Sequence, residues 1–312
     1  MTLNLATKKH SFSDKWEQFQ TDGIDRLIKF LSDDIKESNR VQDVKQTHVF
    51  NNKDFMRLYK IIYDLCIVPK GSFSKTLYAK YVDATSTYLT NRVLPDLSEV
   101  TGTILLKKLA NHWDKHMNIF VKWLGKCFRY LDQHYVKQQS LETVAIKGES
   151  LFRSHVFFPI KLNVLDAIID EFEKEREGEC IDDFSLKQVI QMIIKFRSNT
   201  SDEVDFYKEL EEMFTRETSR YYNMKGKEFL RDYTCEEYLL KVEMIIDQEK
   251  FRIEKYMKES SFDRYIAVVQ DELLVKNMEQ LLSKSTGLEH MLSNHTIKSM
   301  KLVYKLYSPL QE

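Results

Sequence analysis

The chain has 312 residues, a formal net charge of −1, and only 8 Gly and 4 Pro. Average usage would supply about 37 Gly and Pro in this length, so collagen-like, disordered and sandwich-type all-β chains, which need many turn residues, are disfavoured. The balanced charge argues against a general polyanion-binding protein, and we expect no nucleic-acid partner.

No uncharged stretch exceeds the one from Ala84 to Asn91, far short of the roughly 20 apolar residues of a membrane-spanning helix. We therefore expect no membrane partner. The first seven residues lack the features of a secretion signal, which predicts a reducing compartment. The cysteines form no CxxC pair and are interpreted as buried free thiols at Cys66, Cys127, Cys180 and Cys235.

Helical periodicity begins near the N-terminus. Ser13 can cap a helix whose apolar face runs from Trp16 to Leu31, before a polar break at residues 38–46. A second helix places its apolar side chains between Phe55 and Cys66 and stops before Pro69.

Three more helices follow in the first half. The third is expected from Leu77 to Val93 and ends at Pro95. The fourth covers Ile104 to Leu109 with Trp113, and the fifth covers Ile119 to Tyr135.

The second half has no proline between Pro159 and Pro309, so its helices must be separated by other residues. Thr234 and Glu237 fit a capping box that opens a long amphipathic helix. The remaining breaks are expected at Gly178, Ser198–Glu203, Gly226, Ser260–Ser261 and Gly287. The pattern predicts an all-α fold: bundles of about five helices stacked into an elongated rod.

Catalytic motifs are missing from this pattern. The chain has neither a GxxxxGK loop nor a GxGxxG loop. His112 and His116 share a helix face as a zinc pair would, but Trp113 replaces the activating Glu and no third ligand follows, so we interpret the pair as solvent-facing and expect no metal or cofactor. The acidic run is interpreted as a solvated face at Glu171, Glu173, Glu175 and Glu177.

Charge is uneven along the chain. Residues 104–139 carry seven Lys or Arg against two Asp or Glu, with aromatic residues between them. Such a segment could suit an acidic protein or RNA. The helical spacing of its aromatic residues indicates that most of them belong to the core, so protein binding is the milder inference.

Several motifs together resemble the cullin family. Phe-Met-Arg-Leu-Tyr-Lys-Ile-Ile-Tyr-Asp-Leu-Cys at residues 55–66, Trp-Leu at 123–124 and Phe-Arg-Tyr-Leu-Asp-Gln-His-Tyr at 128–135 look like the first cullin repeat. The charged run at 173–179 looks like the junction into the second repeat, and Tyr-Tyr at 221–222 and Tyr-Leu-Leu-Lys-Val-Glu at 238–243 continue the resemblance. The resemblance covers the chain from about Trp16 onward.

The resemblance implies a non-catalytic scaffold of multi-subunit ubiquitin ligases, located in the cytoplasm and nucleus. Its fold would be an elongated stack of five-helix cullin repeats. We expect a first repeat at residues 12–155, a second at 156–270 and a partial third at 271–312.

The second helix is most similar to that of the SCF-type cullin, which holds a Skp-type adaptor carrying an F-box protein. The implied contacts from the second helix are Phe55, Met56, Tyr59 and Tyr63, and those from the fifth are Tyr130, His134, Tyr135 and Lys137. Tyr63 and Tyr130 could equally belong to the core of the first bundle. Lys126, Arg129 and Lys137 could steer an acidic adaptor.

Two departures from the family pattern stand out. Gln133 stands where the family usually has Arg, which removes a positive charge from the expected contact face. No cullin-homology domain follows residue 312, so we expect no RING-box protein on this chain. Alternatives are a degenerate cullin-like protein, a dominant-negative adaptor binder, or an arm for a different cullin adaptor.

Overall fold

The computed structural model describes residues 12–37, 49–67, 73–196, 206–293 and 297–311. These residues are helical apart from short turns and include no strand, which confirms the all-α prediction for the part of the chain described. The breaks expected at 38–46 and at Ser198–Glu203 lie outside these residues.

Two compact units divide the chain at residues Met1–Ala167 and Ile168–Glu312. The helices of the first unit are α1 (Phe12–Phe19), α2 (Arg26–Glu37), α3 (Asn52–Cys66), α4 (Ser74–Tyr88), α5 (Leu94–Ser98), α6 (Gly102–Lys115), α7 (Lys122–Cys127), α8 (Arg129–Leu131) and α9 (Val144–Phe152). The division point lies within α10 (Phe158–Arg176). The helices of the second unit after α10 are α11 (Asp183–Lys195), α12 (Phe206–Asp232), α13 (Cys235–Tyr256), α14 (Phe262–Gln270), α15 (Met278–Leu282), α16 (Leu288–Ser293) and α17 (Ile297–Tyr307). The predicted repeat boundaries remain predictions.

Widened π-helical turns connect several of these helices without interrupting the helical backbone. They are Gln20–Asp25, Leu89–Val93, His116–Val121, Asp132–Val136, Arg153–Phe157 and Asp271–Val275. Short 3₁₀ turns lie at Glu259–Ser261 and Ser308–Gln311.

Two predicted boundaries in the first unit are wrong because of such turns. The helix expected to end at Pro95 continues, since the π turn at Leu89–Val93 precedes it and the proline occupies the first turn of α5, where its missing N–H is tolerated. The fourth and fifth predicted helices are joined through His116–Val121. Ser13 is also not a cap, because α1 begins at Phe12.

Helix ends in the second unit follow the sequence more closely. The Thr234–Glu237 capping box is confirmed at the start of α13. Gly178, with φ +82°, ends α10 in a pair of hydrogen bonds typical of a Schellman motif. The break expected at Gly226 is wrong: this residue lies inside α12, and a Cβ there would come within 2.8 Å of Asn277 Nδ2.

A charged network lies in the core of the second unit. Glu249 is fully buried and accepts hydrogen bonds from Arg176, Arg252 and the Tyr222 hydroxyl. Arg176 Nη2 also donates to Thr218 Oγ1 at 2.9 Å. Burial alone would raise the pKa of Glu249, but the two guanidinium groups hold it below the usual value, so the carboxylate is ionised.

The acidic run before Gly178 lies partly in this packed region, so its interpretation as a solvated face is wrong for the buried Glu171 and the half-buried Glu175, whereas Glu177 is exposed. Glu171 is buried and accepts a hydrogen bond from Lys174 at 2.6 Å. Glu175 accepts one from Arg252 at 2.7 Å. Glu175 therefore neutralises the buried Arg252 guanidinium, whereas the Lys174 side chain that pairs with Glu171 is 38% exposed.

His112 and His116 are both buried, which overturns the solvent-facing interpretation. His112 Nε2 lies 2.8 Å from an Asp96 carboxylate oxygen, and His116 Nε2 donates to the Gly148 carbonyl at 2.9 Å. Burial lowers the pKa of His116 to about 4. The prediction of four buried thiols is also wrong in one case, because Cys180, next to the Gly178 turn, is exposed.

Candidate partner-binding surface

Helix α3 has one buried and one exposed face. Asn51 caps it by accepting a hydrogen bond from the Asp54 N–H at 2.8 Å. Leu58, Ile62 and Leu65 pack into the core. Because helical neighbours recur every three to four residues, the side chains at positions 55, 59 and 63 share the other face.

Five rings form a continuous line on this surface, which we call the aromatic row. Phe55 and Tyr59 have ring centroids 6.4 Å apart, and Tyr59 stacks on Tyr63 at 6.3 Å. The Tyr63 ring meets Tyr130 edge to face at 4.8 Å, and Tyr130 lies 4.1 Å from the His134 ring. The row therefore joins α3 to α8 and to the π turn after it.

The predicted site residues divide into two groups. The aromatic row contains five of the eight, and Met56 beside it is 60% exposed. Tyr63 is 36% exposed and Tyr130 half-buried, so neither is fully buried core. Tyr135 lies instead near Tyr78, whose pKa is raised to about 12 by burial and by neighbouring groups that include Tyr135. Lys137 is exposed and outside the row.

A shallow cavity of about 660 Å³ opens at the α3 end of the row; we call it the α3–α7 cavity. Its aromatic and apolar lining consists of Phe50, Phe55, Met56, Tyr59 and Trp123. Its polar lining consists of Asn52, Lys126, Arg129 and Gln133. Lining residues in the described part of the chain include two cations and no carboxylate.

Phe50 and Trp123 were not singled out as site residues from the sequence. Their rings meet edge to face at 5.3 Å, and Trp123 lies 5.9 Å from Phe55. The ammonium of Lys126 lies 4.6 Å from the Trp123 ring centroid, and the Arg26 guanidinium lies over Phe50. For Trp123, the mixture of aromatic residues with Lys and Arg in the basic segment was a signal in the sequence, whereas Phe50 lies outside that segment.

Charges on the two sides of α3 are arranged differently. Towards α1 and α2, its charged residues are paired with neighbours, in the ion pairs Lys15–Asp64, Arg26–Asp54 and Arg57–Asp22. At the cavity, Lys126 and Arg129 take part in no ion pair among the described residues. The cavity edge is therefore positively charged and available to an external carboxylate.

The aromatic residues of the basic segment are buried to different degrees. Trp113, Phe120 and Phe128 are buried, as the helical spacing indicated, whereas Trp123, Tyr130 and Tyr135 are half-buried. No group of three potential metal-ligating side chains occurs among the described residues. None of the described helices is long and apolar enough to span a membrane.

Comparison with known protein families decides which family this fold represents. The family model described as the cullin alpha solenoid domain matches residues 33–312. The chain belongs to the cullin family. This confirms the resemblance drawn from the separated motifs. Cullins are scaffold proteins of ubiquitin ligase complexes, and members of the family typically bind adaptors and substrate receptors.

Curated cullins from plants and a slime mould are similar over most of the chain. Cullin-1 of Oryza sativa subsp. japonica is 31% identical over 292 residues, which are 93% of this chain and 39% of that protein. Cullin-2 of Arabidopsis thaliana is 30% identical over 311 residues, 99% of this chain and 40% of that protein. Cullin-3 of Dictyostelium discoideum is 28% identical over 274 residues, 86% of this chain and 35% of that protein.

Proposed function

We propose that this cullin chain is a non-catalytic scaffold arm of an SCF-type ubiquitin ligase, acting in the cytoplasm and nucleus. Its first unit would bind a Skp-type adaptor that carries an F-box protein. The observation that carries the proposal is the aromatic row, which places five of the eight predicted contact residues in one line beside the exposed Met56.

The row has the properties of a binding hot spot. Aromatic side chains bury large areas at low entropic cost, and Met adapts its shape to a partner. The stacking of Tyr59 on Tyr63, and the edge-to-face contact of Tyr63 with Tyr130, fix these rings before a partner arrives. Binding therefore costs little conformational entropy at these positions.

Gln133 should affect the affinity for the adaptor, because it lines the α3–α7 cavity together with Lys126 and Arg129. The family's usual Arg would add a third cation at this place. We expect this chain to bind an acidic adaptor more weakly than its Gln133→Arg variant does, mainly through a slower association rate.

The test is a calorimetric titration of the chain with a Skp-type adaptor bound to an F-box fragment. Phe55→Ala/Met56→Ala should weaken binding by about 2 kcal/mol or more while helicity is retained. Met244→Ala, which truncates an equally exposed methionine in the second unit, is the control and should bind as the wild type does.

Two outcomes of this titration would contradict the proposal. Unchanged affinity in the double variant would contradict the assignment of the site. Absence of binding by the wild-type chain would contradict the SCF-type function and favour a different cullin adaptor or a degenerate cullin-like protein.

A further inference from the structure

The α3–α7 cavity has a chemistry that the aromatic row does not. The row presents phenyl, phenol and imidazole rings. The cavity shares Phe55 and Tyr59 with the row and adds Phe50, Trp123 and the cations of Lys126 and Arg129. Its volume of about 660 Å³ falls within the range of specific ligand pockets. A shallow cavity of this size has room for one protruding side chain of a partner.

We propose that the α3–α7 cavity holds an acidic segment of the adaptor complex, with one apolar side chain inserted between Met56 and Trp123 and a neighbouring carboxylate bound by Lys126 and Arg129. The inference rests on the proposed function, because it gives the chemistry of the same partner. It adds an anchor at one end of the row.

The charge balance identifies the occupant as acidic. Two cations and no carboxylate line the cavity within the described residues. Neither Lys126 nor Arg129 would have to leave an ion pair there in order to bind a carboxylate. A guanidinium can grip a carboxylate through two parallel hydrogen bonds, which fixes its position as well as attracting it.

The geometry identifies the occupant's second feature as apolar. Met56 is 60% exposed, and the Trp123 ring is only half-buried. Lys126 Nζ lies 4.6 Å from the Trp123 ring centroid, so a carboxylate bound to this ammonium stands within one side-chain length of the ring. An apolar residue adjacent to an acidic one therefore fits both parts of the cavity at once.

Trp123 gives the cavity its own spectroscopic reporter. The chain has three tryptophans, and the other two, Trp16 and Trp113, are only 9% and 8% exposed. Protein labelled with 5-fluorotryptophan should show three fluorine resonances, and the Trp123→Phe variant identifies the one from the cavity. The two buried tryptophans act as internal references.

The first arm uses a glutamate-rich peptide with one central leucine as the probe. We expect it to shift the Trp123 resonance alone. Replacement of the leucine by serine, or of the glutamates by lysines, should each lower the peptide's affinity about tenfold or more. A Trp123 resonance that responds equally to all three peptides, or to none, would overturn the proposal.

The second arm uses the Skp-type adaptor with its F-box fragment. Lys126→Glu/Arg129→Glu should weaken binding about tenfold or more at low ionic strength and less at high ionic strength. Lys122→Glu, a charge reversal at an exposed position of the same helix, should stay within about twofold of the wild type.

The two arms separate failure of the cavity from failure of the proposed function. If the adaptor binds while the Trp123 resonance is unperturbed, or while the double reversal matches Lys122→Glu, the cavity proposal is wrong and the adaptor function stands. If the wild-type chain produces no binding heat with the adaptor, the proposed function is wrong, and this assignment of the cavity to the adaptor complex is wrong with it.

Discussion

The two units of this cullin use their polar and aromatic side chains in opposite ways. In the first unit, large rings lie on the surface as the aromatic row, and the nearby cations Lys126 and Arg129 carry no ion pair among the described residues. In the second unit, carboxylates and guanidinium groups lie in the core around Glu249, and they neutralise one another.

This difference separates binding from stability. A half-exposed ring contributes modestly to folding but can supply a large area to a partner. A buried ion pair contributes nothing to a partner, yet removal of one member leaves an uncompensated charge inside the protein. Substitutions in the first unit's row should therefore change affinity, and substitutions in the second unit's network should change stability.

Removal of the Glu249 carboxylate from the charged network should give the largest change in the free energy of unfolding. Glu249→Gln leaves Arg176 and Arg252 without their shared carboxylate, so we expect the free energy of unfolding to fall by about 3–5 kcal/mol. Urea denaturation followed by circular dichroism measures this change. Glu254→Gln, at an exposed position of α13, is the control, and equal midpoints for the two variants would contradict the prediction.

Acid should destabilise the first unit through a buried imidazole. The pKa of His116 is lowered to about 4 from 6.5, so the unfolded state binds more protons between these values and stability falls as the pH falls. Between pH 7 and about pH 4.5 this group should cost about 2–3 kcal/mol of the free energy of unfolding.

The His116 contribution can be isolated by substitution. His116→Gln keeps a donor for the Gly148 carbonyl but cannot titrate, so its free energy of unfolding should depend less steeply on pH than that of the wild type. His134→Gln makes the same change at an exposed histidine and serves as the control. Equal slopes for the wild type and His116→Gln would refute the assignment.

Removal of a ring from the aromatic row should change adaptor affinity more than it changes stability. We expect Tyr63→Ala to weaken adaptor binding by about 2 kcal/mol, because it removes the ring that links Tyr59 to Tyr130. Its unfolding free energy should fall by only about 1 kcal/mol, since 36% of the side chain is already exposed. Calorimetry and urea denaturation of the same preparation would show whether the larger change is in binding.

Two glycines of the first unit should give smaller changes in stability, of opposite sign, when each is replaced by alanine. An added Cβ at Gly148 would come within 2.6 Å of Val121 Cγ2 and 2.9 Å of the Tyr81 hydroxyl, so Gly148→Ala should cost about 1–3 kcal/mol. Gly125 in α7 has no such neighbour within 4 Å, so Gly125→Ala should stabilise by about 0.5–1 kcal/mol. Thermal denaturation should move the two midpoints in opposite directions.

Local signals in the sequence predicted local features of the fold. The Thr234–Glu237 box and Gly178 mark helix ends because their hydrogen bonds join residues a few positions apart. The spacing of positions 55, 59 and 63 likewise placed three rings of the candidate site on one face of α3. The order and spacing of several motifs identified the family, whereas helical periodicity alone indicated only an all-α fold.

Features that depend on distant residues were not predictable in this way. Glu175 contacts Arg252, 77 positions away, so this pairing could not be inferred from the acidic run around Glu175. Gly226 lacks a side chain because Asn277 approaches α12 there, not because the helix ends. Phe50 and Trp123 join the candidate site through tertiary packing, across 73 residues of sequence.

The π-helical turn at Leu89–Val93, which holds no residue of the row, affects which length changes this sequence can tolerate in evolution. Each residue of an α-helix advances the side-chain direction by about 100°, and a π turn holds one extra residue in its loop. Loss of a single codon in this turn could be absorbed as ordinary α-helix, whereas the same loss within α3 would rotate every later ring of that helix away from the row. Length variation among descendants should therefore concentrate in such turns.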